Sequence, residues 1–202
     1  MPAVSPRSRP SRAQLGAAKH RKLPDLIRPG LRCVFVGINP GLWSAASGYH
    51  FGNPANRLWP TLHAAGFTPR RFLPPDCEEL LQLGFGITNL VGRPTATAAE
   101  VTPAELRAGV PALRRRVGRY RPTFVAFLAM TAYRVAFDRP KAVPGEQDET
   151  LAGARVWLLP NPSGLNASYQ LPDLARLYGQ LHAALDPDRD SRCSDPGGNP
   201  HP

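Results

Sequence analysis

Short apolar runs alternate with helical periodicity between residues 23 and 186. "LRCVFVGI" (31–38), "GITNLV" (86–91) and "TFVAFLAM" (123–130) are nearly continuous apolar runs bounded by turn residues. That is the pattern of strands buried on both faces. Within "ETLAGARVWLLP" (149–160) the chain predicts a small β element around Gly153, then a fourth buried strand, "RVWLLP". The segments between carry apolar residues three and four apart. "NPANRLWPTLHAAGF" (53–67) predicts a helix capped by Asn53, with Pro54 at its first position and Leu58, Leu62 and Ala65 on one face. "PPDCEELLQLG" (74–84) predicts a short helix with acids at its start and glycine at its end. "TPAELRAGVPALRRRVGRY" (102–120) predicts a helix broken near Gly109–Pro111, because proline removes a backbone donor and crowds the turn before it. "TAYRVAF" (131–137) and "LPDLARLYGQLHAAL" (171–185) complete the helices. Strands alternating with helices imply an α/β fold, a three-layer α/β/α sandwich with a mainly parallel central sheet.

In such sheets functional groups lie beyond the carboxyl ends of the strands. Three strands run there into polar turns: Ile38 into "NPGL", Val91 into "GRPT" and Pro160 into "NPSGLN". All three are expected on one rim. Asn39 is then either a turn-former or a chemical group aimed above the sheet. A neutral amide is no general base, but its carbonyl oxygen can orient a water.

Charge narrows the partner. The 202 residues carry a formal net charge of +10, and arginine supplies most of it. Such a surface seeks polyanions, most simply nucleic acid. The plainer reading is a compositional bias toward Arg, Ala and Pro. Residues 1–22, rich in Arg, Lys, Ser and Pro, are expected to be a disordered basic arm, 23–186 the folded domain and 187–202 a disordered tail. Cys33, Cys77 and Cys193 are too scattered for a metal or iron–sulfur site, and no disulfide framework is implied. No apolar stretch reaches the ~20 residues of a membrane span, and no apolar segment follows the basic start as in a secretory signal. A cytoplasmic, nucleoid-associated monomer is expected, without cofactor or metal.

"GINPG" and "NPSGL" lie about 120 residues apart, each after a buried strand. With "GYHFGNPANRLW" and "GITNLVGRPT" between them, the chain closely resembles the mismatch-specific uracil-DNA glycosylase / thymine-DNA glycosylase family over residues 31–185. The resemblance implies a uracil-DNA glycosylase-like fold and a monofunctional DNA repair enzyme. Such an enzyme flips uracil out of double-stranded DNA, with ethenocytosine or mismatched thymine as further substrates. It hydrolyses the N-glycosidic bond and leaves an abasic site. No lysine sits in either motif, so no lyase step is expected. A base stacked in a duplex is out of reach, so the chemistry needs a pocket, a water-holder and a wedge.

The resemblance makes Asn39 the holder of the attacking water. Ile38, Ser44, His50, Phe51 and Asn89 become substrate-binding positions. Phe51 is the ring under the flipped base, where stacking is worth ~1–3 kcal/mol. His50 can donate to base or phosphate, though a surface histidine is the plainer reading. Backbone N–H groups of residues 41–51 can stabilise the leaving uracil anion. DNA-binding positions are Asn161, Ser163, Gly164, Leu165, Asn166, Arg57 and Arg93. Leu165 is the apolar wedge that fills the vacated stack, and Ser163, Arg57 and Arg93 are phosphate contacts. Ala167 stands where the family often carries a polar or basic residue. Arg114, Arg115 and Arg116 are further candidates for phosphate contacts, but the three cannot all lie on one helical face, and a solvated face is an equal alternative. Other functions fit less well. "NPSGL" lacks the first glycine of G-x-S-x-G, and "GINPGL" is not the dinucleotide fingerprint. A non-catalytic DNA-damage binder on the same fold stays open; it would keep Leu165 without needing Asn39.

Overall fold

A computed structural model of the chain describes residues 9–186. The expected tail at 187–202 lies outside the described residues, as do residues 1–8 of the expected arm. The strands are β1 (Cys33–Gly37), β2 (Phe85–Asn89), β3 (Phe124–Phe127), β4 (Gly145–Leu151) and β5 (Ala154–Leu158). They form one sheet in the order β2-β1-β3-β5-β4. β1 pairs in parallel with β2 and β3, and β3 with β5; β4 returns antiparallel along one edge. Every residue of β1, β2 and β3 is buried, as their apolar runs require.

β4 extends further than the sequence suggested. Its "GEQDETL" alternates half-buried and exposed positions, so its charge hid it from a search for apolar runs. Charged residues suit a sheet edge, where they discourage pairing with another chain. Ala152 and Gly153 both have positive φ (50° and 88°), the geometry of a tight two-residue hairpin turn.

Helices cover both faces. The helices are α1 (Arg12–Ala17), α2 (Leu42–Ser47), α3 (Leu58–Ala64), α4 (Glu79–Gln82), α5 (Pro103–Tyr120), α6 (Met130–Ala136) and α7 (Leu171–Leu185). Residues of α3, α4 and α7 share one core with Phe35 and Phe85; those of α5 and α6 share another with Val36 and Phe127. Neighbours Phe35 and Val36 serve opposite cores because side chains alternate across a strand. Phe35, Phe67 and Phe85 meet in edge-to-face pairs. The three-layer sandwich with a mainly parallel sheet is therefore present.

Three local expectations need correction. α3 begins at Leu58, not at Asn53. Asn53 and Asn56 spend their side chains on the turn before it, accepting from the N–H groups of Ala55 and Leu58. α5 runs unbroken through Gly109 and Pro111. Gly109 lets the helix pass the end of β2, since a Cβ there would lie 2.5 Å from the Leu90 carbonyl oxygen. Pro111 falls on the exposed side. Finally, the amino-terminal arm is not structureless over residues 11–22. Ser11 and Gln14 form a reciprocal capping box on α1. Ala18 is fully buried against Ala45 and Ala46 of α2, and Arg21 donates to the Ala46 carbonyl at 3.0 Å. Alanines suffice for this contact, so the lack of large apolar residues misled.

Candidate active site

The carboxyl ends of β1, β2 and β5 open on one cavity of about 370 Å³. Its wall includes Ile38 and Asn39 after β1, Asn89 of β2, and Asn161, Ser163, Gly164 and Leu165 after β5. Ser44, His50 and Phe51 close another side. The three turns expected on one rim do meet there.

Asn39 is held in one orientation. Its Nδ2 donates to the Arg93 carbonyl at 2.8 Å and to the Thr95 hydroxyl at 2.7 Å, with a longer contact of 3.3 Å to the Pro40 carbonyl. A carbonyl only accepts, so the NH₂ end must face Arg93 and Thr95. No hydrogen bond occupies the amide oxygen among the described residues, and Asn39 lines the cavity. Thr95 donates its own hydroxyl hydrogen to the Thr97 carbonyl at 2.7 Å, which keeps a lone pair toward Asn39. Backbone bonds fix the two loops together: Thr95 N–H to Pro40 at 3.1 Å, and Leu42 N–H to Thr95 at 2.9 Å. Thr95 was missed in the sequence. Its only signal was its place in "GRPT", beyond the β2 end.

Gly37 forms a floor. A Cβ there would lie 2.6 Å from Asn89 Oδ1 and 3.3 Å from Phe51 Cζ. The Asn89 amide and the Phe51 ring therefore converge over a residue with no side chain. Phe51 has a positive φ of 49°, uncommon for an aromatic residue. Trp59 Nε1 donates to its carbonyl at 3.3 Å, and the next residue, Gly52, donates its N–H to Ser44 Oγ at 3.0 Å. Ser44 thus shapes the loop through its hydroxyl. Asn89 is buried, and its backbone carbonyl accepts from Arg116 Nη1 at 3.1 Å. Arg116 also pairs with Asp25 at 2.9 Å and donates to the Thr88 hydroxyl, which in turn donates to Asp25 at 2.6 Å. Of the three consecutive arginines, Arg116 is turned inward and Arg114 and Arg115 are exposed.

His50 is not a surface histidine. It is 4% exposed, and its Nε2–H donates to the Pro24 carbonyl at 2.8 Å. Burial lowers its pKa, against the opposing pull of that bond and of Asp25. It is a neutral wall group.

The "NPSGLN" loop presents Leu165 at 87% exposure. Asn161 accepts the Ser163 N–H at 2.9 Å through its side chain, and Asn166 Nδ2 donates to the Asn161 carbonyl at 2.9 Å. Ser163 Oγ accepts the Leu165 N–H at 3.3 Å. Gly164 lies so close to residue 55 that a Cβ would come within 2.4 Å of the Ala55 carbonyl oxygen. Asn161 and Asn166 are thus loop-formers.

Both arginines expected on phosphate make bonds within the protein, Arg57 half-buried and Arg93 still exposed. Arg57 donates to the carbonyls of Ser163 (2.6 Å), Tyr169 (2.7 Å) and Asn166 (2.8 Å). It is a staple for the leucine loop. Arg93 makes a two-point pair with Glu105 at 2.7 and 3.1 Å and donates to the Glu100 carbonyl at 3.0 Å. Glu105 also caps α5, and these bonds draw its pKa down to about 2.

This sheet order, with one cavity across the carboxyl ends of its parallel strands, defines a protein of the uracil-DNA-glycosylase-like α/β fold. The chain belongs to the uracil DNA glycosylase superfamily, whose family model matches residues 24–181. Among solved structures it is similar to a "putative Uracil DNA glycosylase from Methanosarcina acetivorans", at 17% identity and a TM-score of 0.49, over 80% of this chain and 98% of that one.

Proposed function

We propose that this protein is a monofunctional uracil-DNA glycosylase of the mismatch-specific kind. It would release uracil from duplex DNA and leave an abasic site. The observation that carries the reading is the Asn39 amide, pinned through its Nδ2 and lining the same cavity as Asn89 and Phe51. In this reading Asn39 Oδ1 accepts from a water and aims its oxygen at C1′ of the extruded nucleotide. The water oxygen bonds to C1′ as the C1′–N1 bond breaks. The base leaves with the electron pair. Asn39 cannot take the water's proton, so that proton ends on the departing base or in solvent. The Asn89 amide offers a donor and an acceptor to a pyrimidine edge, and Phe51 offers a stacking face. The wedge role is supported by the exposure of Leu165, an apolar side chain at the cavity wall.

The test is single-turnover cleavage of labelled duplexes carrying G·U, A·U or G·T, and of single-stranded uracil DNA. Wild type and Asn39→Ala are compared. Uracil release that is lost in the variant while DNA binding persists is expected, with G·U the preferred duplex. No release from any substrate, with tight binding retained, would replace this reading by a damage-binding protein.

A further inference from the structure

The glycosylase reading raises a question of charge. Extruding a nucleotide brings its flanking phosphates to the mouth of the cavity, where cations would strengthen binding beside hydroxyl and N–H contacts. Arg57 and Arg93 are engaged by carbonyls and Glu105, and Arg116 is turned inward onto Asp25. Among the described residues, a further cationic segment leads into the cavity wall. It is the stretch from Arg12 to Lys22, which leads directly into Leu23 in the cavity wall.

We infer that residues 12–22 form a phosphate-binding ledge for the DNA strand that carries the extruded nucleotide. Arg12, Lys19 and Lys22 are exposed, and none takes part in an ion pair among the described residues. No Asp or Glu occurs before Asp25, so nothing within the segment neutralises it. The ledge is also built in. Ser11 caps its helix, Ala18 is buried on α2, and Arg21 is bonded to Ala46. Beyond Leu23, Pro24 accepts from His50, and Leu26 bridges Ile87 of β2. Cations on a fixed backbone lose less freedom on binding than those on a loose arm. α2, on which the ledge rests, begins three residues after Asn39. The charge is thus tied to the turn that holds the proposed water-holding group.

The inference rests on the glycosylase reading for its location, and the test separates the two. Binding of a uracil duplex and of an undamaged duplex is measured across a salt series. The proteins are the full chain, Lys19→Ser/Lys22→Ser, its Lys19→Arg/Lys22→Arg counterpart, and Arg114→Ser/Arg115→Ser as an exposed-charge control on α5. Each phosphate contact contributes ~0.9 to the slope of log affinity against log salt. The serine pair is expected to weaken binding and to lower that slope by about 2. The arginine pair should restore both, and the α5 pair should stay close to wild type. An unchanged slope in the serine pair, or an equal loss in the α5 pair, overturns the ledge. Wild type that binds but releases no uracil would sink the glycosylase reading alone, because the undamaged-duplex isotherms still decide the ledge. Equal thermal midpoints exclude misfolding as the cause of any loss.

Discussion

At the scale of single residues, the cavity depends on an absence. Gly37 has no side chain, and the Asn89 amide and Phe51 ring occupy that space. Gly37→Ala would push a methyl group to 2.6 Å from Asn89 Oδ1, so that amide must move. Overpacking a close-fitted site costs ~1–3 kcal/mol, less if neighbours yield. The expected outcome is a folded protein, slightly lower in thermal midpoint, with a large drop in single-turnover uracil release. Wild-type rates in Gly37→Ala would mean that Asn89 need not hold its position. Residues of this kind divide sharply in how far a sequence reveals them. Asn39, Phe51 and Leu165 stand in motifs whose chemistry can be argued locally. Thr95 acts through a hydroxyl on a partner 56 positions away, and nothing near it in the chain announces that bond.

At the scale of elements, the leucine loop is shaped by a residue far from it in sequence. An arginine beside a loop expected to face DNA reads as a phosphate contact, because charge is visible in a sequence and hydrogen-bond partners are not. Arg57 instead uses its planar fork on three backbone carbonyls of the loop. Lysine has a compact point charge and cannot reproduce that fork. Arg57→Lys should therefore loosen the loop that presents Leu165. A wedge matters only where a stack must be replaced, so the variant should lose more activity on duplex G·U than on single-stranded uracil DNA, by about tenfold if ~1.4 kcal/mol of loop ordering is lost. Equal losses on both substrates would make Arg57 a general structural group. The same limit explains the two helix corrections. Asn53 looked like a cap because Pro54 followed it, yet a turn used its side chain first. Gly109 and Pro111 looked like a break, yet the helix needed the glycine to pass Leu90.

At the scale of the whole molecule, four of the five strands and the rim were legible because both-face burial writes continuous apolar runs into the chain. The charged first part of the edge strand β4, before the β element expected around Gly153, and the docking of residues 11–26 were not, since one is charged and the other uses alanines and backbone bonds. Docking carries a titratable link. His50 is buried and neutral, and its Nε2–H holds the Pro24 carbonyl one residue past the cavity wall at Leu23. Burial, the largest influence, lowers its pKa below the ordinary 6.5. Below about 6.5 the unfolded chain then binds a proton that the folded chain refuses. This contribution to stability is complete above that pH and is lost as the pH falls toward the depressed folded value. His50→Gln keeps a donor for Pro24 but cannot titrate. Thermal midpoints of wild type and His50→Gln, measured from pH 8 to pH 5, should run parallel above ~6.5 and converge or cross below it. Parallel curves over the whole range would mean that His50 accepts its proton in the folded protein, and that the amino-terminal segment is held to the sheet by its other bonds.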